Sequence, residues 1–246
     1  MKDDNGKGSL IVNDLVKSYG KRIVVNKVNL AVKRGQIIGL LGPNGAGKTT
    51  TFYMIVGLIR VKNGHILLDG QDITHEPMYM RARQGVNYLS QEPSVFRKLT
   101  VEENLLAIME IIDLPIQERR PFLQSLLSEL NIGHLAKQKA YSLSGGERRR
   151  LEITRAMITD PKFILLDEPF AGIDPMAIND IKEIAKRLKK KNLGILISDH
   201  NVRETLDVCD LAYIINDGEI IESGVPEKIT ESEIVRSVYL GESFNL

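Results

Sequence analysis

Residues Gly42–Thr49 read GPNGAGKT, and the fold turns on this stretch. It matches the pattern G-x-x-x-x-G-K-[ST]. The run before it, QIIGLLG, is an apolar strand, and the run after it, TTFYMIVGLI, continues as a helix. A glycine loop between a strand and a helix is the context in which such a stretch cradles phosphate. Gly42, Gly45 and Gly47 have no Cβ, so the loop can curl and turn successive N–H groups inward. The helix that opens near Lys48 adds the positive end of its dipole. Lys48 is placed to reach the β- and γ-phosphates of a nucleotide, and the Thr49 hydroxyl to hold Mg²⁺.

Upstream, Ser9–Leu41 alternates β-rich runs with turns at Tyr19-Gly20-Lys21 and Lys33-Arg34-Gly35. Downstream, NGHILLDGQDI predicts a hairpin turning at Asp69-Gly70, and GVNYLS predicts a strand ending at Gln91. From Glu92 the character becomes helical. Thr100 and Glu103 form a capping box, and Val101, Leu105, Ile108 and Ile112 share the face of the helix they open. Pro121 opens a second helix with Phe122, Leu123, Leu126, Leu127 and Leu130 apolar. Ser144 caps a third. The α/β pattern returns with KFILLD, whose apolar run suits a strand buried on both faces. Asp174 caps and Pro175 opens a helix that turns Ile178, Ile181, Ile184, Ala185 and Leu188 inward. Its basic end, Arg187 and Lys189–Lys191, suits a solvated helix C-terminus. GILISDH is another buried strand, followed by a helix carrying Val202, Leu206 and Cys209. A hairpin turns at Asp217-Gly218, and a helical tail runs from about Glu227.

The 246 residues suffice for one large domain. A net charge of +1 gives no whole-chain attraction to nucleic acid or an anionic membrane. The apolar runs are too short to span a bilayer, and the polar start MKDDNGKGSL is no signal peptide. One cysteine, Cys209, excludes an internal disulfide and fits a reducing cytosol. Residues Met1–Gly8 are expected to be mobile.

Two further stretches carry chemistry. FILLDEP, Phe163–Pro169, brings two carboxylates to the C-terminal end of a strand, which faces the ligand crevice of an open α/β sheet. Asp167 suits Mg²⁺, directly or through water, and Glu168 suits an attacking water as general base or polariser. LSGGERRRL, Leu143–Leu151, starts a helix with Ser144, Gly145 and Gly146. It is either a plain N-cap or a second phosphate-binding helix start. One nucleotide does not need two such sites in one chain; a second copy of the chain would resolve the excess.

GPNGAGKTT, Gln91, LSGGE, ILLDEP, Ile173-Asp174-Pro175 and His200 stand in an order similar to that of ABC-transporter ATPase subunits. The resemblance covers essentially the whole chain. It implies an α/β P-loop NTPase fold: an ABC ATPase core with a mainly parallel central sheet, an N-terminal antiparallel β subdomain and an inserted α-helical subdomain. Residues 1–91 and 160–246 would form the core, about 92–159 the helical subdomain, and about 227–246 the tail, in one ABC domain. The resemblance implies a homodimer in which each ATP lies between one chain's loop (Gly42, Pro43, Asn44, Gly45, Ala46, Gly47, Lys48, Thr49 and Thr50) and the other's Ser144, Gly145 and Gly146. Tyr19 resembles the residue that stacks on adenine. Gln91 resembles the glutamine that senses Mg²⁺ and water, so Thr49, Gln91 and Asp167 are the metal candidates. His200 resembles the switch histidine; with Glu168, Gln91 and Lys48 it completes the catalytic set. Asp174 resembles the residue that links the two sites, or is simply a helix cap.

SDHNVRETLDVCD, QEPSVFRKLTVEENL, LSGGERRRLEI and VYLGESF narrow the resemblance to the ATPases of lipopolysaccharide export. That implies a subunit on the cytoplasmic face of the inner membrane and two permease partners docking near Gln91, Phe96 and Arg97, with no nucleic-acid partner. The alternative is the ATPase of a branched-chain amino acid importer. A soluble ABC protein acting on ribosomes or DNA usually has two ATPase units or a long coiled coil, which this chain lacks. A GTPase would need an NKxD motif, which is also absent.

Overall fold

The computed structural model describes residues 6–241 and Phe244. Strands β1 (Ser9–Tyr19), β2 (Arg22–Lys33), β4 (Asn63–Leu68) and β5 (Gln71–Asp72) form an antiparallel sheet in the order β2-β1-β4-β5. A second sheet has the order β10-β9-β3-β8-β7-β6. Its strands are β3 (Ile37–Leu41), β6 (Val86–Leu89), β7 (Phe163–Asp167), β8 (Gly194–Ser198), β9 (Leu211–Asn216) and β10 (Glu219–Gly224). Its pairings are parallel except β9 with β10. The predicted turns at Asp69-Gly70 and Asp217-Gly218 join β4 to β5 and β9 to β10.

Every residue of β3, β7 and β8 is buried. Alternation along a strand sends neighbouring side chains to opposite faces, so these strands supply two cores. Ile38, Leu40, Leu165 and Leu196 pack toward the antiparallel sheet and helix α1 (Lys48–Val56). Ile37, Leu41, Ile164, Leu166, Ile195 and Ile197 pack against α6 (Pro175–Lys190) and α7 (Val202–Val208). Ile178, Ile181, Ile184, Ala185 and Leu188 of α6 point inward as their spacing predicts. A third core joins α3 (Val101–Ile111) and α4 (Ile116–Glu129) to Leu151 and Ile158; Leu151 and Ile153 send α5 (Gly145–Met157) into the third and second cores.

Several local expectations change or fall outside the described residues. Pro121 does not open α4. The helix starts five residues earlier, after Pro115, and Pro121 lies inside it. Gln117, whose carbonyl Pro121 cannot bond, is an exposed residue, so water can take the place of the missing bond. Ile112 is 40% exposed because α3 ends at Ile111; Val101, Leu105 and Met109 make the buried stripe. Cys209 is buried, but just past the end of α7. The expected mobility of Met1–Gly8 falls mostly on residues 1–5, outside the described residues. Gly8 is tied in: its N–H donates to Asp69 at 2.9 Å and its carbonyl accepts from Arg34 N–H at 2.8 Å. The basic end of α6 is partly paired, Lys191 with Glu129 at 2.6 Å and Lys189 with Asp210. The tail begins as α8 (Pro226–Glu231) and α9 (Glu233–Val235), with Ile229 and Val235 fully buried in the second core.

Candidate functional site

The Gly42–Thr49 loop joins β3 to α1, and its glycines are needed for space as well as for turning. A Cβ on Gly42 would stand 2.0 Å from the Ile215 carbonyl oxygen, and one on Gly47 2.6 Å from that of Val24. Gly47, at φ 109°, is the N-cap of α1 and supplies no side-chain cap, so the first-turn N–H groups face outward without a side-chain acceptor. Pro43 accepts from Ala46 N–H at 3.2 Å, while Asn44, Gly45 and Thr49 are exposed and Thr50 is half-buried. The buried Lys48 ammonium donates to the carbonyls of Gly42 (2.6 Å) and Pro43 (2.9 Å). Burial holds it below the usual lysine range, against the opposing pull of Glu168, Asp167 and Asp199.

Beside this loop stand the ends of β7 and β8. Asp167 is 2% exposed. Its Oδ2 accepts from the Tyr88 hydroxyl at 3.0 Å, and its Oδ1 has no hydrogen-bond partner among the described residues. Burial raises its pKa. Glu168 breaks from the strand with φ 46°, and its N–H donates to the Ser198 carbonyl at 2.6 Å. Gln91 Nε2 donates to Glu168 Oε2 at 2.7 Å, and His200 Nδ1 lies 3.5 Å from the same oxygen. Gln91, Glu168 and His200, predicted separately from three stretches, therefore meet at one carboxylate oxygen. Tyr19 ends β1 at 53% exposure with the Lys17 ammonium 5.4 Å from its ring centre.

Ser144 and Gly146 do not line the cavity at that cluster, but Gly145 does, together with Gln91 and Glu168. Ser144 and Glu147 form a capping box, Glu147 N–H to Ser144 Oγ at 3.3 Å and Ser144 N–H to Glu147 at 2.8 Å. That bond from Ser144 N–H holds the Glu147 carboxyl below its usual range. A Cβ on Gly145 would sit 3.0 Å from Ile173 Cγ2, and one on Gly146 2.4 Å from Ala177 Cβ. These contacts run to the start of α6, where Asp174 Oδ1 caps Ala177 N–H at 3.0 Å. Phe96 is 42% exposed under the Arg155 guanidinium, 4.7 Å from its ring centre. The neighbouring Arg97 is exposed, and its carbonyl accepts from Tyr141 N–H at 3.0 Å.

The family model described as "ABC transporter" matches residues 25–171. The chain belongs to the ABC transporter family. It is 56% identical over 238 residues to the lipopolysaccharide export system ATP-binding protein LptB of Haemophilus influenzae, covering 96% of this chain and 99% of that one. It is 52% identical over 239 residues to the protein of the same name from Escherichia coli K12, covering 97% and 99%. Its fold is similar to the crystal structure of the ADP conformation of MJ1267, an ATP-binding cassette of an ABC transporter, with TM-score 0.85, 30% identity, and coverage of 95% and 98%.

Within this ABC chain, the unpartnered Asp167 Oδ1 gives the test for Mg²⁺. A buried carboxylate oxygen without a donor fits a cation. Among the described residues no group of three His, Cys, Asp or Glu side chains forms a protein-only metal site. Mg²⁺ is commonly held by one or two carboxylates together with substrate phosphates, and Asp167 is such a carboxylate. Three residues near the site escaped sequence reasoning. Tyr88 reads as an ordinary strand aromatic until β6 pairs with β7. Arg149, buried in α5, donates to the Ser90 carbonyl at 2.8 Å and the Asp167 carbonyl at 3.1 Å. Asp199 has a fully buried carboxylate before His200. A charged residue ending an apolar strand was the available signal for Asp199; for Arg149 and Tyr88 the sequence carries none.

Proposed function

We propose that this chain is the ATP-hydrolysing subunit of the transporter that extracts lipopolysaccharide from the inner membrane for passage to the outer membrane. The observation that carries this reading is identity above half, over nearly the full length, to proteins named LptB. The geometry at Glu168 supports the hydrolytic part. Among the described residues no helix is long and apolar enough to cross a membrane, consistent with a peripheral subunit on the cytoplasmic face.

In this reading the chain is one ABC domain, with its core in residues 1–91 and 160–246 and the helical subdomain in about 92–159. The Walker A residues Gly42–Thr50 hold the phosphates of ATP, and Tyr19 stacks on adenine. Lys48 exchanges the carbonyls of Gly42 and Pro43 for β- and γ-phosphate oxygens. Asp167, Thr49 and Gln91 would hold Mg²⁺, which would supply positive charge against the phosphates. Glu168 accepts a proton from the water that attacks the γ-phosphorus as the bond to the β-phosphate oxygen breaks. Gln91 and His200 fix the carboxylate that does so. Ser144, Gly145 and Gly146 of a second copy close the site, so the working unit is a homodimer. Two permease subunits dock beside Gln91, Phe96 and Arg97.

Two measurements test this. Glu168→Gln should bind ATP and dimerise, yet turn over at least about a hundredfold more slowly; near-normal hydrolysis removes Glu168 from its role. Membrane proteins co-purified with the chain decide the cargo. Permeases bearing a large periplasmic β-rich domain support lipopolysaccharide export, and a periplasmic amino-acid-binding protein in the complex overturns it.

A further inference from the structure

Asp199 precedes His200, and its side chain is 0% exposed. Its Oδ2 accepts from Phe170 N–H at 2.9 Å and its Oδ1 from Asn201 N–H at 2.8 Å. Phe170 stands two residues after Glu168, and Asn201 one after His200. One carboxylate thus bridges the turn that carries Glu168 and the turn that carries His200. Beside it runs the bond from Glu168 N–H to the Ser198 carbonyl at 2.6 Å. Both ties bear on a strained residue. Glu168 has φ 46°, and a non-glycine residue keeps such a conformation only where its surroundings enforce it.

The bridge is anchored on its far side too. Asn201 Oδ1 caps α7 by accepting from Glu204 N–H at 3.4 Å, and its carbonyl accepts from Thr205 Oγ1 at 3.0 Å. Lys182 of α6 holds α7 through Glu204 and Asp207. Burying a carboxylate is unfavourable unless donors satisfy it. Both donors here are backbone N–H groups of the loops that present Glu168 and His200.

We propose that Asp199 is a positioning residue for ATP hydrolysis: its carboxylate locks the Glu168-Pro169-Phe170 turn to the His200 turn and so keeps His200 Nδ1 beside Glu168 Oε2. This rests on the roles of Glu168 and His200 proposed above. Asp199 touches neither phosphate nor metal in this scheme, so its loss should act on turnover and spare ATP binding.

The test uses the full chain carrying Asp199→Asn or Asp199→Ala, with Glu168→Gln alongside. Three quantities are read: steady-state hydrolysis with ATP and Mg²⁺, affinity for a non-hydrolysable ATP analogue, and hydrogen exchange of the Phe170 amide. Asparagine keeps one acceptor oxygen and alanine none. The kcat of Asp199→Ala should fall about tenfold or more, as small misplacements of catalytic groups do. Asp199→Asn should lie between it and the unsubstituted chain. KM and analogue affinity should weaken by no more than about twofold, because Asp199 makes no hydrogen bond to the phosphate loop and losing its negative charge, which acts on Lys48, does not disfavour a polyphosphate. The Phe170 amide should lose protection while the amides of β7 and β8 keep theirs. Unchanged kcat in Asp199→Ala, with Glu168→Gln inactive, overturns the positioning role alone. A fall in kcat matched by lost affinity and lost protection throughout β7 and β8 also overturns it, since the bridge is then a folding contact only. Normal hydrolysis by Glu168→Gln overturns the underlying reading instead.

Discussion

Gly146→Ala isolates what the two glycines after Ser144 do within their own chain. An alanine Cβ there would stand 2.4 Å from Ala177 Cβ, where ordinary contact begins near 3.4 Å. The start of α5 must therefore move away from α6 by about 1 Å, the difference between these distances. Overpacking of this kind costs about 1–3 kcal/mol. Replacing a helical glycine returns at most about 1 kcal/mol. The net loss is then about 0–2 kcal/mol, centred near 1, which lowers the unfolding midpoint of a chain this size by about 2–4 °C. Part of the loss comes from crowding and should be recovered by making room. In the pair Gly146→Ala with Ala177→Gly, the crowding is relieved, and the helix propensity gained at 146 offsets what is lost at 177. Thermal unfolding of the two single variants and the pair, without nucleotide, closes the cycle. The pair should be more stable than the sum of the singles by about 1 kcal/mol or more. Singles and pair that add within about 0.5 kcal/mol, the usual behaviour of independent sites, would refute the mesh of α5 with α6. So would a Gly146→Ala chain that melts above the unsubstituted one.

Tyr88→Phe removes the hydroxyl that donates to Asp167 Oδ2 at 3.0 Å. A buried carboxylate that loses this donor should lower stability by about 1–3 kcal/mol without nucleotide. The deficit should shrink when ATP and Mg²⁺ are added, read as the change in unfolding midpoint, and an equal deficit in both conditions would deny Asp167 its contact with the ion. Burial pushes the Cys209 thiol up to about 12, so it stays protonated at neutral pH. A coloured disulfide reagent at pH 8 should label the native chain only slowly and the unfolded chain at once; rapid native labelling contradicts the burial. Hydrogen bonds from Thr74 hold the Asp72 carboxyl down to about 2. A depressed folded-state pKa stabilises above the ordinary aspartate value near ~3.9 and loses that contribution as pH falls toward about 2. Asp72→Asn should therefore narrow the stability gap between pH 6 and pH 2.5 in urea titrations, and an unchanged gap would rule the contribution out.

How much of this was legible in the sequence follows from the range of each signal. The loop at Gly42, the caps at Thr100, Ser144 and Asp174, and the strand FILLD are written in neighbouring residues, because their geometry depends on local backbone and on burial of a contiguous run. Pro121 misled because a proline is a strong local stop, yet its effect depends on whether the carbonyl it strands faces water. Ile112 misled because helical spacing says which face a residue takes and not where the helix ends. Tyr88 and Arg149 lay beyond local reading, since both act on Asp167 across strand pairings or helix contacts that no spacing encodes.

Asp199 lies between these cases. Its charge after an apolar strand was visible, but a helix cap and a bridge between two loops begin with the same residue type. What separates them is the partner. A plain N-cap bonds the first turn of its own helix, whereas Asp199 accepts from Asn201, the N-cap of α7, and from Phe170, 29 residues away in sequence. The chemistry of the site thus depends on a long-range bond attached to a local motif. The bond spans the two turns that bring Glu168 and His200 within 3.5 Å of each other. A substitution there can leave every recognisable motif intact and still slow the reaction.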